Sequence, residues 1–364
     1  MKGGPLTIVI AGGGTGGHLY PGVAVARALM ARVPEARVSF AGTARGLEAR
    51  VVPQEGFELD LIRSAGLKGK SFKALMRGIA TLPAGLVDAW RLLSRRRPHV
   101  VLGVGGYSSG PVVLLAALRG MATMVLEQNA VPGFTNRRLA PFVRAAAVTY
   151  DGTLSYFRGR GFVAGNPVRP EFVRAADGAT STPHPPRVLT LGGSQGSHAI
   201  NVAMVAAAPE LARRCPHLQI VHQTGARDEA WVREQYDAAG IPARVVGYLD
   251  AIAREMKEAD VVVSRAGATT LAELAALGRP AVLIPLPTAT DDHQRKNAQA
   301  LADGGAAILV DQASLTPDPN PLVEAIASLL DSPSARADMS AAMHRFARPD
   351  AAARIVTRLL ELAA

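Results

Sequence analysis

The chain has 364 residues, 48% hydrophobic and 19% charged, which allows two or three domains with real cores and excludes a disordered tail. Its one cysteine, Cys215, excludes an intramolecular disulfide and any multi-cysteine zinc or iron–sulfur ligand set, and fits a reducing cytoplasm. The net charge of +10 is uneven: residues 1–165 hold 21 Lys and Arg against 8 Asp and Glu, while 166–364 hold 19 against 22. A basic half implies an anionic surface nearby, nucleic acid or a lipid leaflet.

Short apolar runs alternate with helical stretches along the chain. Residues 6–11, 38–41, 99–103, 121–126 and 145–148 read as strands, as do 187–191, 219–223, 243–246, 260–264 and 281–284. The runs are unbroken rather than alternating, which suits strands covered by helices on both faces and predicts parallel sheets. Between the two series, residues 161–186 are dense in Pro and Gly and read as a domain boundary. The fold class expected is α/β, with two doubly wound Rossmann-like domains, 1–164 and 165–345, facing across a cleft. A helix over 346–364 is expected to pack back toward the first domain. The most apolar stretch, 111–126, is cut by Arg119-Gly120, so it reads as a buried helix and strand rather than a membrane span.

The first strand runs into a glycine loop in which Gly12, Gly14 and Gly17 satisfy G-x-G-x-x-G. A nicotinamide or flavin site also wants an acid at the end of the next strand, which here ends in Gly42-Thr43, and a P-loop wants a Lys that is absent. What remains is a loop of backbone N–H groups ahead of a helix, suited to an anion or a sugar. His18 follows in the first helical turn. An unperturbed imidazole, with a pKa near ~6.5, suits general base work; the plainer role is a brace for the loop.

The second series opens alike, with Gly192-Gly193-Ser194-Gln195-Gly196-Ser197, where the Ser194 hydroxyl can bond a phosphate. In residues 264–274, Thr269 or Thr270 stands near a helix N-terminus, with Glu273 about one turn in. An acid there can hold ribose hydroxyls or simply complement the helix dipole. Residues 284–298 open another helix with polar groups for sugar hydroxyls. Sequential neighbours such as Asp291, Asp292 and His293 rarely converge on one ion, so no metal is expected.

Within 66–97, Phe72, Leu75, Met76, Ile79 and Leu82 recur at helical spacing, flanked by Lys68, Lys70, Lys73 and Arg77. An apolar stripe beside basic residues suits an anionic leaflet, at about 1 kcal/mol per basic residue. A core-facing helix with a basic outer face is the alternative.

Six motifs occur in order: Gly13-Gly14-Thr15-Gly16-Gly17-His18 with Pro21; Gly105-Gly106-Tyr107-Ser108-Ser109-Gly110-Pro111; Glu127-Gln128-Asn129; Gly165-Asn166-Pro167-Val168-Arg169; Gly192 to Gly196; and Ala268 to Glu273. Over nearly the whole chain they resemble the MurG family of bacterial peptidoglycan N-acetylglucosaminyltransferases. The resemblance implies GT-B architecture. It also implies transfer of N-acetylglucosamine from UDP-N-acetylglucosamine to lipid I, undecaprenyl-pyrophosphoryl-MurNAc-pentapeptide, to form lipid II with inversion. The protein would be peripheral, on the cytoplasmic face of the plasma membrane with its anionic surface. It would need no cofactor or nucleic acid, and would meet cell-wall synthesis proteins.

By the same resemblance, Thr15, Gly16 and Gly17 would approach the donor's sugar and phosphates, and Asn129 would contact the N-acetylglucosamine. Arg169 and Ser194 would meet the nucleotide diphosphate, and Leu249 would lie along the uracil. Ala268, Thr269, Thr270, Leu271, Ala272 and Glu273 would hold the ribose and phosphates. His293 and Gln294 would face the sugar hydroxyls, and His18 would be the base. Two departures stand out. Leu126 occupies a position where many relatives have His, and the 287–292 loop looks slightly longer than in some relatives, which loosens the assignment between His293 and Gln294. Rival readings are another GT-B enzyme such as a diacylglycerol glycosyltransferase, a UDP-N-acetylglucosamine 2-epimerase, and a basic nucleic-acid-binding protein. The last lacks a stacking platform, with only 2 Trp, 6 Tyr and 9 Phe.

Overall fold

The computed structural model describes residues 4–64, 72–176, 184–193, 195–315 and 318–364. The chain divides into two compact units, residues 1–169 with 348–364, and residues 170–347. The first contains β1 (Thr7–Gly12), α1 (Gly16–Arg32), β2 (Arg37–Gly42), α2 (Glu48–Gln54), β3 (Glu58–Leu61), α3 (Phe72–Arg96), β4 (Val100–Gly105), α4 (Ser109–Leu118), β5 (Ala122–Glu127), α5 (Phe134–Leu139), β6 (Ala145–Val148) and β7 (Gly161–Val163). Its seven strands are parallel, in the order β3-β2-β1-β4-β5-β6-β7.

The second unit contains α6 (Pro170–Ala176), β8 (Arg187–Leu191), α7 (His198–Arg214), β9 (Gln219–Gln223), α8 (Glu229–Ala238), β10 (Ala243–Val246), α9 (Ile252–Glu258), β11 (Val261–Ser264), α10 (Ala268–Leu277), β12 (Ala281–Leu283), α11 (His293–Asp303), β13 (Ile308–Leu309), α12 (Asn320–Leu330) and α13 (Pro333–His344). Its six parallel strands run β10-β9-β8-β11-β12-β13. The last helix, α14 (Ala351–Ala363), belongs to the first unit.

The period of two in a strand explains the layers of the first unit. Ile8, Ile10, Leu102, Val104 and Met124 join one buried cluster with Leu19 and Val23 of α1 and Ile355, Val356 and Leu359 of α14. Their neighbours Val9, Ala11, Val101 and Val125 join another with Leu92 and Leu93 of α3 and Val112 and Val113 of α4. Both faces of each central strand are therefore apolar, which is why these strands read as unbroken runs.

Three edge strands escaped the sequence reading. β3 alternates charged and apolar residues, β13 has only two residues, and β7 lies inside the Gly-rich stretch taken as a boundary. The expected boundary at 164/165 is corrected to 169/170. The N–H groups of Ala164 and Gly165 both donate to the Val148 carbonyl, which ties this segment to β6. Gly165, at φ +90°, meets the returning chain so closely that a Cβ there would lie 2.3 Å from Arg348 Cβ.

Leu359, in the last helix, is fully buried. Leu359→Ala is expected to cost about 2–5 kcal/mol through lost burial and a cavity. Hydrogen exchange checks it: protection should fall in β1 and β4 and persist in β8 and β11. Equal loss in both sheets would contradict the assignment of α14 to the first unit.

Candidate functional site

In each sheet the strand order reverses beside the first strand. β1 lies between β2 and β4, and β8 lies between β9 and β11. The loops after β1 and β8 therefore have room at the carboxyl edge, where ligands bind in open α/β sheets. In the first unit this loop carries His18 in the opening turn of α1. Gly105, at the end of β4, has φ +97°, and a Cβ there would lie 2.6 Å from His18 Cδ2. A glycine lets the imidazole lie against the strand end. Thr15 is the N-cap residue of α1, but its side chain makes no capping bond. Its Oγ1 lies 3.2 Å from His18 Nδ1 instead. A capping bond is typically worth ~1 kcal/mol, so helix stability is forgone to orient a ring.

The acid of this loop is Glu48, which the sequence reading did not find because it looked at the end of β2. Glu48 opens α2 and reaches back. Its buried Oε2 accepts the Gly14 N–H at 2.7 Å, and Oε1 accepts the Thr43 N–H at 2.8 Å and hydroxyl at 2.9 Å. Burial raises its pKa, but these donors together prevail and hold the carboxyl below its ordinary value. The expectation of a loop presenting its N–H groups to an anion is thus corrected at Gly14, whose N–H is bound to an internal carboxylate. The available signal was Gly13, Gly42 and Gly46: a Cβ at any of them would come within 2.5 Å of a Glu48 side-chain atom.

A second buried carboxylate shapes the segment after β5. Glu127 accepts the Asn129 N–H at 3.0 Å, Asn129 Nδ2 at 3.1 Å, the Gly133 N–H at 3.0 Å and Asn136 Nδ2 at 2.9 Å. Complete burial pushes its carboxyl up against the pull of these donors. Asn129 thus owes its place to Glu127. Arg169 stays with the first unit, its guanidinium 5.2 Å from the centroid of the Tyr20 ring.

In the second unit, Ser197 caps α7, its Oγ accepting from the Ile200 N–H and also from Arg265 Nη2 at 2.6 Å. Arg265 donates further to the carbonyls of Ile284 and Pro285 and to Gln312 Oε1. Burial pushes its guanidinium down to about 10, still cationic at neutral pH. This side chain joins the loops after β8, β11 and β12. α10 starts at Ala268; Leu271 and Glu273 are buried, while Thr269, Thr270 and Ala272 are half-buried. After β10, Leu249 is buried and Tyr248 is 61% exposed. Gln223 Nε2 donates to the Gly247 carbonyl and fixes that turn.

Asp291 and Asp292 both have φ +56°, a left-handed pair that sharpens the entry to α11. His293 Nδ1 lies 2.7 Å from the Thr290 carbonyl, so Nδ1 carries the proton, and Gln294 Oε1 accepts the Leu286 N–H at 3.0 Å.

The candidates thus collect by unit. Thr15, Gly16, Gly17, His18 and Asn129 lie at the carboxyl edge of the first sheet; Leu249, residues 268–273, His293 and Gln294 lie at that of the second. Ser194, Lys68 and Lys70 lie outside the described residues. So do the side chains of Phe72, Lys73, Leu75, Met76, Arg77 and Ile79, whose backbone belongs to α3. Farther along α3, Val87 is 45% and Trp90 53% exposed, with the Arg119 guanidinium 4.5 Å from the Trp90 ring centroid. Among the described residues no helix is long and apolar enough to cross a membrane.

Residues 8–148 match the glycosyltransferase family 28 N-terminal domain, and residues 187–355 match the family 28 C-terminal domain. A relative from Anaeromyxobacter sp. strain K is 43% identical over 98% of this chain and 93% of its own length. It is named UDP-N-acetylglucosamine–N-acetylmuramyl-(pentapeptide) pyrophosphoryl-undecaprenol N-acetylglucosamine transferase. The crystal structure of Acinetobacter baumannii MurG superposes with a TM-score of 0.80 at 28% identity, covering 98% of this chain and all of that one. A putative UDP-N-acetylglucosamine 2-epimerase from Listeria monocytogenes reaches 0.70 at 14% identity, over 98% of this chain and 96% of that one, a likeness of fold alone.

Glu48→Gln should turn an amide N–H toward the donors that now meet a carboxylate. The expected loss is roughly 1.5–3 kcal/mol, the range for hydrogen bonds to charged groups. Glu48 has a lowered folded pKa, so its contribution is present above the unfolded carboxyl pKa of ~4.3 and disappears as pH falls through the folded value. Denaturation of parent and variant at pH 7 and at pH 3 checks this. A stability gap that does not narrow at low pH would remove the charge from the argument.

Proposed function

The chain belongs to glycosyltransferase family 28, and from that membership we propose that it transfers N-acetylglucosamine from UDP-N-acetylglucosamine to the muramyl sugar of lipid I, forming lipid II with inversion. The observation that carries this reading is the 43% identity over 98% of the chain to a relative named for that transfer. In the reaction an acceptor hydroxyl attacks the anomeric carbon. A carbon–oxygen bond forms there as the bond to the β-phosphate breaks, and UDP leaves with the electron pair. The hydroxyl proton goes to His18. The base is the tautomer with its proton on Nδ1, where Nδ1–H donates to the Thr15 hydroxyl 3.2 Å away and the Nε2 lone pair takes the proton.

The leaving diphosphate gains negative charge, and stabilising it is the main electrostatic task. The N-terminus of α10, Arg169 and Ser194 supply donors and positive potential for it. Glu273 holds the ribose, Leu249 lies along the uracil, and Thr15, Gly16, Gly17 and Asn129 approach the sugar. His293 and Gln294 face its hydroxyls. The acceptor is lipid-linked, so the protein works as a peripheral enzyme on the cytoplasmic face of the plasma membrane, beside other cell-wall synthesis proteins. The exposed Val87 and Trp90 of α3 and the excess of basic residues in 1–165 support membrane contact.

Incubation with UDP-N-acetylglucosamine and a lipid I analogue should yield a disaccharide product and UDP, and the donor sugar should stay unchanged without acceptor. Formation of the 2-epimer in the absence of acceptor would favour the epimerase reading. His18→Ala should lower kcat by on the order of 10²–10⁴-fold with UDP affinity little changed. A fall in UDP affinity equal to the loss of activity would make His18 a loop brace.

Neutralising Lys68, Lys70, Lys73 and Arg77 together should reduce binding to anionic vesicles, most at low salt because screening weakens surface attraction. Co-sedimentation equal to that of the parent would take this segment off the membrane.

A further inference from the structure

A cavity of about 520 Å³ opens on the first unit between β7 and α14. Its polar lining is Arg144, Arg160, Arg354, Arg358, Thr357 and Glu361, which sets four guanidinium groups against one carboxylate. Arg144 and Arg160 come just before β6 and β7, at the amino edge of the sheet. His18 and the glycine loop occupy the opposite edge. This cavity is therefore separate from the residues assigned to sugar transfer.

The way these arginines are held matters. Arg144 Nη2 donates to the Gly120 carbonyl at 3.0 Å, and Arg160 Nη1 donates to the carbonyls of Ala140 and Pro141. A carbonyl fixes the direction of a guanidinium without cancelling its charge. On α14, Arg358 pairs with Glu361 at 2.7 Å, and Arg354 lies 4.0 Å from Asp350. The Thr357 hydroxyl accepts from a fifth arginine, Arg32, at 2.6 Å. Four cationic side chains around one cavity repel one another, and an anion relieves that repulsion. Arginine presents its N–H donors in a planar fork matched to tetrahedral oxyanions. Flanking this wall, Leu118 is 67% and Phe142 49% exposed, each next to or near the residues whose carbonyls hold Arg144 and Arg160.

We infer that this cavity is a second anion site, built for a phosphate-class group and distinct from the nucleotide site. The phosphate comes either from an anionic lipid headgroup, with the exposed Leu118 and Phe142 beside its acyl chains, or from a soluble phosphate compound. The two sources share the same recognition chemistry.

The full chain is titrated with inorganic pyrophosphate in saturating UDP, which keeps the nucleotide site filled. In parallel it is floated with phosphatidylcholine vesicles with and without phosphatidylglycerol. The same is done for the double variants Arg354→Gln/Arg358→Gln and Arg354→Lys/Arg358→Lys, at an exposed and a half-buried position of α14. Melting temperature and transfer to a soluble acceptor serve as fold controls and should match the parent. A forked site predicts that both variants lose roughly tenfold in affinity, about 1.4 kcal/mol, because Lys keeps the charge but not the fork. Loss in the vesicle arm assigns the headgroup as source; loss confined to pyrophosphate assigns a soluble phosphate. Lys variants that bind like the parent, or a parent that binds neither probe, would overturn the site. A parent that binds pyrophosphate but no vesicle would contradict the membrane reading while leaving the site standing.

Discussion

A parallel strand can be followed only by a crossover that brings the chain back to the amino edge of its sheet. Both sheets are parallel throughout, so within each unit every strand delivers its end, and the helix that follows, to one edge. Asn129 comes from a segment far in sequence from Thr15 and His18, and shares the carboxyl edge of the first sheet with them for this reason alone. Leu249, Glu273 and His293 are gathered in the second unit in the same way. Helices that start at this edge also point their unsatisfied N–H groups outward from it, which supplies positive potential before any charged side chain is placed.

The two units brace their edges with groups of opposite kind, carboxyls in one and a guanidinium in the other. In the first, Glu48 and Glu127 sit buried beneath the loops and accept backbone and amide N–H groups. In the second, Arg265 is the buried centre and donates to carbonyls and to Ser197. Negative charge lies under the loop that carries the proposed base, and positive charge lies among the loops proposed to hold the diphosphate. Each buried group also fixes loops that would otherwise have many conformations, so removing one should disturb several substrate contacts at once.

The central strands were legible because burial on both faces leaves an uninterrupted apolar record, as in β4 and β5. The glycine loops and the start of α10 were legible because small residues at a strand end have few other uses. Of the edge strands only β10 was read; β3, with its charged alternation, and the two-residue β13 carry too little unbroken apolar sequence to stand out. Glu48 was hidden for a different reason. Its partners, Gly14 and Thr43, are joined to it by folding, and the glycines that make room for it, Gly13, Gly42 and Gly46, acquire that meaning only once the fold brings them together. Arg265 was likewise passed over, because a lone arginine after a strand looks like an ordinary surface residue until its four partners are assembled. The Arg144 and Arg160 cavity depends on α14 returning to β7, a juxtaposition that periodicity does not record.

The return of α14 also sets an order of events during synthesis. The second unit is a continuous segment, encoded between the two parts of the first. As the ribosome works along the message, residues 170–347 are complete and able to fold while the first sheet still lacks the helix that seals one of its faces. Until α14 has been made, the apolar residues that will meet Ile355, Val356 and Leu359 stay uncovered. A nascent chain that has reached residue 347 therefore carries an uncovered apolar sheet face in the first unit, so the closing of that core waits on the synthesis of α14.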